Sequence, residues 1–217
     1  MQKILTSSDI SEMDKQVRTH FINSLGGFKS VALVGTANSL GHNNLAVFSS
    51  LVHIGANPAL VALIFRPSPP ARDTLTNLLD IGYYTINHIN KTIFKKAHQT
   101  SARYEKEISE FHETGLTPIF KNDFKAPFVA ESAVQIGIKF KEKVDIKINN
   151  TTIVIGEIVQ VHFPENCLST DGYLDLEKAN TITCSGLDSY HTTKSLGRLS
   201  YPKPNREISA IVSDFSK

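Results

Sequence analysis

Cysteine is scarce in this chain of 217 residues: Cys167 and Cys184 are the only two. They match no metal-ligand spacing and are too few for a disulfide framework, so reduced, structural thiols are expected. Neither sign of charge is in excess. Lys and Arg total 23 against 21 Asp and Glu, which gives no general electrostatic case for a nucleic acid or a membrane surface as partner. Basic residues bunch at Lys95-Lys96 and from Lys139 to Lys147, but Glu142 and Asp145 interrupt the second group, as on a solvated strand face. Long apolar runs are missing too. The most continuous, Ala59 to Phe65, is far too short to span a bilayer, and MQKILTSSDISEMDKQ lacks the apolar core of a signal peptide. These features predict a soluble, cytoplasmic protein in which the sequons at Asn90 and Asn150 carry no meaning.

Common catalytic signatures are also missing. No G-x-G-x-x-G follows a predicted strand, and there is no P-loop, no H-E-x-x-H and no G-x-S-x-G nucleophile elbow. The eight histidines are spread without metal-ligand pairing, so no metal site is expected. A hydrolase would have to hide its nucleophile among ordinary serines.

What is present is mostly β. Ser8-Asp9 reads as the start of a helix over about 9–25, with Ile10, Met13, Val17, Phe21 and Leu25 at helical spacing and Gly26-Gly27 as its stop. FKSVALVGT predicts a buried strand from Ser30 to Thr36, and NSLGHNN is a turn. Strands follow from Leu45 to His53 and, after a turn at Asn57-Pro58, from Ala59 to Phe65. The proline-stiffened RPSPPARDT opens a short helix capped by Asp73 or Thr74 and ended by Gly82. YYTINHI is a further strand, and residues 91–114 read as a helical excursion broken near Arg103. Two long strands flanking Asn149-Asn150 make a hairpin, and the tail from Pro164 is loop-rich. With no repeat and no linker, the chain is expected to be one domain over 1–217, a β-barrel with helical excursions.

From Val34 to Phe65 there is no Lys, Arg, Asp or Glu, and charge returns abruptly at Arg66. Strand–turn–strand structure carrying Asn, Ser, Thr and Gly offers backbone groups and short polar side chains to a flat heteroaromatic ring such as a flavin's. A charge there would be costly to desolvate. Small residues such as Ala46, Ser49 and Ser50 allow close approach. Arg66, Arg72 and the helix start at Asp73-Thr74 could take a phosphate nearby. Three buried strands in sequence would also lack charge, with both arginines then ordinary surface residues. Composition leaves the two readings open.

Four features bear on the choice: the Asn44-Leu45-Ala46-x-x-Ser49-Ser50 strand, the Asn57-Pro58 turn, Arg72-Asp73-Thr74, and the Tyr84-Thr85-x-Asn87 strand. With VAESAVQIGIKF, IVIGEIVQVHF and GLDSYH…LGRLSYPKP, they run in an order that resembles the flavin reductase-like, FMN-binding split-barrel family from Phe28 to about Pro204. The resemblance implies a mainly β, Greek-key-like split barrel of six strands, a homodimer, and FMN near the dimer interface. It implies a flavin oxidoreductase that passes hydride from NADH or NADPH to FMN and on to an acceptor, with a redox partner protein among the options. On this sequence, Asn44, Leu45 and Ala46 would face the ring edge, Ser49 and Ser50 the ring or ribityl chain, and Thr36 and Asn38 the mouth. Arg66, Arg72 and Thr74 would hold the phosphate. His42-Asn43 falls in a loop that varies among relatives, and Lys95-Lys96 and His98 fall on a segment whose place relative to the flavin is open.

Of the histidines, His53 and His88 read as core or edge residues, and His191, beside Tyr190, as a ligand contact or a structural residue. Tyr201 would pack on the cofactor or on the barrel end. No general acid or base is assigned, because the cofactor performs the chemistry. The rivals are an FMN electron carrier fed by a partner and a split-barrel binding module without redox activity.

Overall fold

A computed structural model describes residues 1–67, 73–105 and 107–216. Its N-terminus is helical but interrupted. Helix α1 (Ser7–Glu12) is capped by Thr6, whose hydroxyl accepts the Asp9 amide while the Asp9 carboxylate accepts the Thr6 amide at 2.7 Å. Asp14 then accepts the amides of Gln16 and Val17 and restarts the chain as α2 (Lys15–Ser24). One capping carboxylate thus replaces the continuous helix expected over 9–25 with two short ones. Neither helix has a buried residue, and Val17 and Leu25 of the expected apolar stripe are exposed.

The uncharged run makes the strands. After the short β1 (Lys29–Ser30) come β2 (Ala32–Ala37), β3 (Asn43–Phe48), β4 (Val52–Ala56) and β5 (Ala59–Phe65). Helix α3 (Asp73–Ile81) leads through Gly82, at φ 74°, into β6 (Tyr83–His88). Helices α4 (Phe94–Gln99) and α5 (Glu110–Thr114), then the short β7 (Pro118–Ile119) and β8 (Phe128–Val129), precede the long hairpin of β9 (Gln135–Ile146) and β10 (Thr151–His162). The hairpin turn contains Asn150 at φ 55°, the left-handed conformation that asparagine tolerates. The tail adds β11 (Thr183–Ser185), β12 (Ser189–His191), β13 (Arg198–Leu199) and β14 (Ala210–Ile211).

Seven strands pair antiparallel in the order β3-β2-β6-β9-β10-β5-β4. The sheet has one strand more than the six implied by the resemblance, because the strand expected from Leu45 to His53 breaks at 49–51. Its halves lie at opposite edges of the sheet, so the chain crosses from one edge to the other in three residues. At this crossing the Ser50 hydroxyl both donates to the Ile64 carbonyl and accepts the Ile64 amide. That side chain closes the split between the end of β3 and β5. Irregular register between β9 and β10, at Ile155/Gly156 and Ile158/Gln160, adds the local bends a curled sheet needs.

Alternation along the strands divides the core in two. On β2, Ala32 and Val34 point inward with Phe48, Leu63, Phe65, Tyr84, Ile86, Ile138 and Val154, filling the barrel. Leu33 points outward to Leu45, Ile89, Phe111 and Val129, beneath α4 and α5. Gly35 lacks a side chain where the barrel wall meets Pro127 and Thr85. Strand β3 is a sheet edge, and its exposed ladder is partly covered: the Leu45 amide donates to Glu110 at the start of α5, at 2.9 Å.

Candidate functional site

Where β3 and β5 end beside each other, a cavity of about 500 Å3 opens. Its floor is apolar, from Val47, Phe48, Ile64 and Phe65, and its polar side carries Ser49 and Ser50 of the crossing. Arg66, the first residue after β5, stands at its mouth with its guanidinium exposed. The opposite wall comes from far along the chain. Strand β11, which pairs with β1, brings Cys184, its partner β12 brings Tyr190, the turn between them brings Asp188, and the end of α4 brings His98, with Ser101 just beyond it.

Two contacts fix that wall. His98 Nδ1 lies 2.9 Å from the Tyr190 hydroxyl, joining α4 to β12, and the Tyr190 ring packs against Phe94 at 5.6 Å. Burial, with the Cys184 thiol and the Asp188 carboxylate nearby, pushes the Tyr190 hydroxyl up to about 12. Burial also pushes the Cys184 thiol up. Both groups keep their protons at neutral pH, so Cys184 and Tyr190 add no charge to the wall. The cavity's two charged side chains, Arg66 and Asp188, come from different walls.

The residues proposed from sequence divide into groups. Ser49, Ser50 and Arg66 line the cavity together. Thr36, Asn44 and Thr74 form a separate polar cluster: Asn44 Nδ2 donates to the Thr74 hydroxyl at 2.9 Å and to the Thr36 hydroxyl at 3.3 Å. Asn77 adds a second donor to Thr36 at 3.3 Å, so the first turns of α3 are tied to the β2–β3 edge. Thr74 is only 2% exposed. Leu45 lies in the outer core, and Ala46 packs against the barrel interior. Asn38 accepts the amides of Leu40 and His42 and so builds its own turn. Arg72 lies outside the described residues.

His191 is near the cavity without lining it. Its Nε2 is 2.9 Å from the Ser185 hydroxyl, and its ring meets Phe28 edge-on at 4.9 Å. His53 is exposed on β4, and Tyr201 is exposed. His88 is half-buried at the end of β6, its Nδ1 3.2 Å from the Thr181 hydroxyl. Sequence reasoning did not single out Cys184 or Asp188, and left His98 and Tyr190 without a role. No local pattern marks them: Asp188 sits in the β11–β12 turn, Tyr190 on β12 and His98 on α4, and strand pairing and helix docking bring them together.

A second cavity, of about 450 Å3, lies at the other end of β10, beside His162 and Lys121. Lys121 Nζ donates there to Gln135 at 2.5 Å. None of the residues proposed from sequence lines it. Among the described residues, no group of three or more His, Cys, Asp or Glu could hold a metal ion, and no helix is long and apolar enough to cross a membrane.

Comparison with known proteins matches residues 25–179 to the flavin reductase like domain. The chain is similar to a solved structure from Shewanella frigidimarina NCIMB 400 described as a flavin reductase with split barrel domain. The two share 47% identity at a TM-score of 0.90, over 93% of this chain and 100% of that one. The fold recurs in nitrilotriacetate monooxygenase component B from Bacillus cereus, at 19% identity and a TM-score of 0.80, over 91% of this chain and 100% of that one. It recurs again in the flavoredoxin of Desulfovibrio vulgaris (Miyazaki F), at 22% and 0.68, over 82% of this chain and 92% of that one.

Proposed function

Because the chain belongs to the flavin reductase-like family, we propose that it is an FMN-dependent oxidoreductase that takes a hydride from NAD(P)H and passes the electrons to an acceptor. The observation that carries this reading is the placement of Arg66 at the mouth of a cavity walled by Ser49, Ser50 and apolar side chains. A volume of about 500 Å3 lies within the range of cofactor pockets. The donor set also fits: hydroxyls and an apolar surface suit a ring and its polyol chain, and a guanidinium suits a phosphate. When bound, FMN supplies the redox chemistry, accepting a hydride and releasing electrons singly or as a pair.

The chain's own residues bind, orient and exclude water. Arg66 holds the phosphate, joined by Arg72, which lies outside the described residues. Ser49 and Ser50 face the ring or the ribityl chain. Thr36, Asn44 and Thr74 serve the site indirectly, by fixing the start of α3. Leu45, Ala46 and Asn38 shape the strand and turn behind it. His191 supports β12, the strand that carries Tyr190. Protonated Cys184 and Tyr190 add no negative charge to the wall that carries Asp188. The reading includes a homodimer with the cavity near its interface, supported by the exposed Val52 and Ile54 on edge strand β4, just past the crossing.

The test is the visible absorption spectrum of the purified protein, before and after anaerobic addition of NADH or NADPH. A flavin spectrum that bleaches supports the reductase. One that persists until a protein partner is added supports a partner-fed electron carrier. A colourless protein that takes up no added FMN would sink the reading.

A further inference from the structure

Arg66 lies just past the last ladder pair of β5, Phe65 with Thr152, so the sheet does not fix its side chain. A long exposed side chain samples many rotamers unless something outside the strand restrains it. Asn23, in the last turn of α2, does so: Arg66 Nη2 donates to its Oδ1 at 3.2 Å. The Asn23 amide is itself oriented, because Nδ2 donates to the Thr19 carbonyl one turn back at 2.8 Å. That bond turns the acceptor end of the amide, and not the donor end, toward the guanidinium.

The same helix end reaches the other side of the mouth. Lys29 Nζ donates to the Asn23 backbone carbonyl at 3.5 Å and to the Gly186 carbonyl at 2.9 Å. Gly186 begins the β11–β12 turn, whose Leu187 and Asp188 line the cavity. The end of α2 therefore bridges the mouth from Arg66 to this turn, although no residue of α2 is buried.

We propose that Asn23 is a positioning residue that holds Arg66 in the orientation that receives the cofactor phosphate. The inference rests on the FMN reading above. A neutral amide suits the task. It occupies one of the five guanidinium N–H donors and leaves the positive charge uncompensated, so the remaining donors and the full charge are free for a phosphate. A carboxylate at the same place would hold the guanidinium equally well and cancel its charge.

FMN and riboflavin differ only by the phosphate, so the ratio of their dissociation constants isolates the contact with it. Fluorescence titration of both flavins is the measurement, on the full chain and on Arg66→Ala, Asn23→Ala, Asn23→Asp and the double alanine variant. Arg66→Ala is expected to reduce the preference for FMN about 10- to 100-fold, as for a lost charge-assisted contact. Asn23→Ala is expected to reduce it about three- to tenfold with riboflavin affinity unchanged. It should add nothing in the Arg66→Ala background, and Asn23→Asp should lower the preference further than Asn23→Ala. If Arg66→Ala lowers the preference and Asn23→Ala does not, the positioning role is overturned while the cavity assignment stands. An equal loss for both flavins in Asn23→Ala overturns it as well, because that would be a general effect of the helix. If Arg66→Ala leaves the preference unchanged, or the unaltered chain binds neither flavin, the FMN reading itself fails and this inference fails with it.

Discussion

The Ser50 hydroxyl donates to the Ile64 carbonyl at 3.0 Å and accepts from the Ile64 amide at 3.2 Å. One side chain thus satisfies both backbone groups of a residue on the far side of the split. Replacing Ser50 with Ala leaves an amide and a carbonyl without their partner, at a cost of about 1–3 kcal/mol. Urea unfolding should show that loss, and amide hydrogen exchange at Ile64 should speed up more than at Leu63. An Ile64 amide that exchanges as slowly in the variant as in the parent would show that the sheet closes without the hydroxyl.

Gly35 tests how tightly the barrel wall meets the segment that crosses it. A Cβ at this position would collide with the Pro127 backbone carbonyl and stand 2.6 Å from the Thr85 hydroxyl. The Thr85 hydroxyl is already committed to the same carbonyl at 2.6 Å, so neither neighbour can move freely. Gly35→Ala should destabilise the protein by about 1–3 kcal/mol through overpacking. A melting temperature equal to that of the parent would show that the Pro127 segment yields.

His88 should set the acid side of stability. Burial pushes its imidazole down to about 4 from the ordinary 6.5. The unfolded chain then binds a proton that the folded chain refuses between those two values. Stability is fully present above the ordinary value and falls as pH drops toward 4, by about 1.4 kcal/mol per pH unit at most. Unfolding free energies measured across that window should show the slope, and His88→Gln should flatten it. Equal slopes in the two proteins would remove the assignment.

Glu110 should act with the opposite sign. Burial, opposed by the Leu45 amide, leaves its carboxyl raised above the ordinary 4.5. The folded chain keeps this proton longer than the unfolded one. The contribution is present below the ordinary value and is lost as pH rises through the folded one. Glu110→Gln keeps an acceptor for the Leu45 amide and removes the buried charge. Its stability relative to the parent should therefore rise with pH from below 4.5 to neutrality, as read from melting temperatures. A constant difference across pH would mean that Glu110 titrates normally.

Local chemistry made much of the fold legible from sequence. The Asn149-Asn150 turn sets the β9–β10 hairpin, Gly82 ends α3, and the β-branched run after Lys29 marks β2. The break at 49–51 was not legible, because its cause is long-range: Ser50 leaves the ladder to satisfy Ile64. Asp14 could have signalled the break between α1 and α2, but the apolar spacing that runs across it suggested one helix. At the cavity, Ser49, Ser50 and Arg66 stood in one uncharged stretch and its charged border, so small polar side chains and the return of charge pointed to them. Cys184, Tyr190 and His98 reach the same space through strand pairing and helix docking that no local pattern encodes. Thr36, Asn44 and Thr74 read from sequence as part of the cofactor site; that they also bind one another depends on where α3 docks, which sequence does not show.

Strands β3 and β4 are consecutive in the chain yet occupy opposite edges of the sheet, so the crossing at 49–51 is both the point where the barrel shuts and one wall of the cavity. Closure is then a precondition of the site, whose other wall comes from β11, β12 and α4. A chain whose edges have not met has no place for a guest, and ligand capture must follow the last edge-to-edge contact. Any molecule held there binds only the closed form and stabilises it by RT ln(1 + [L]/Kd), so it acts as a latch on the seam.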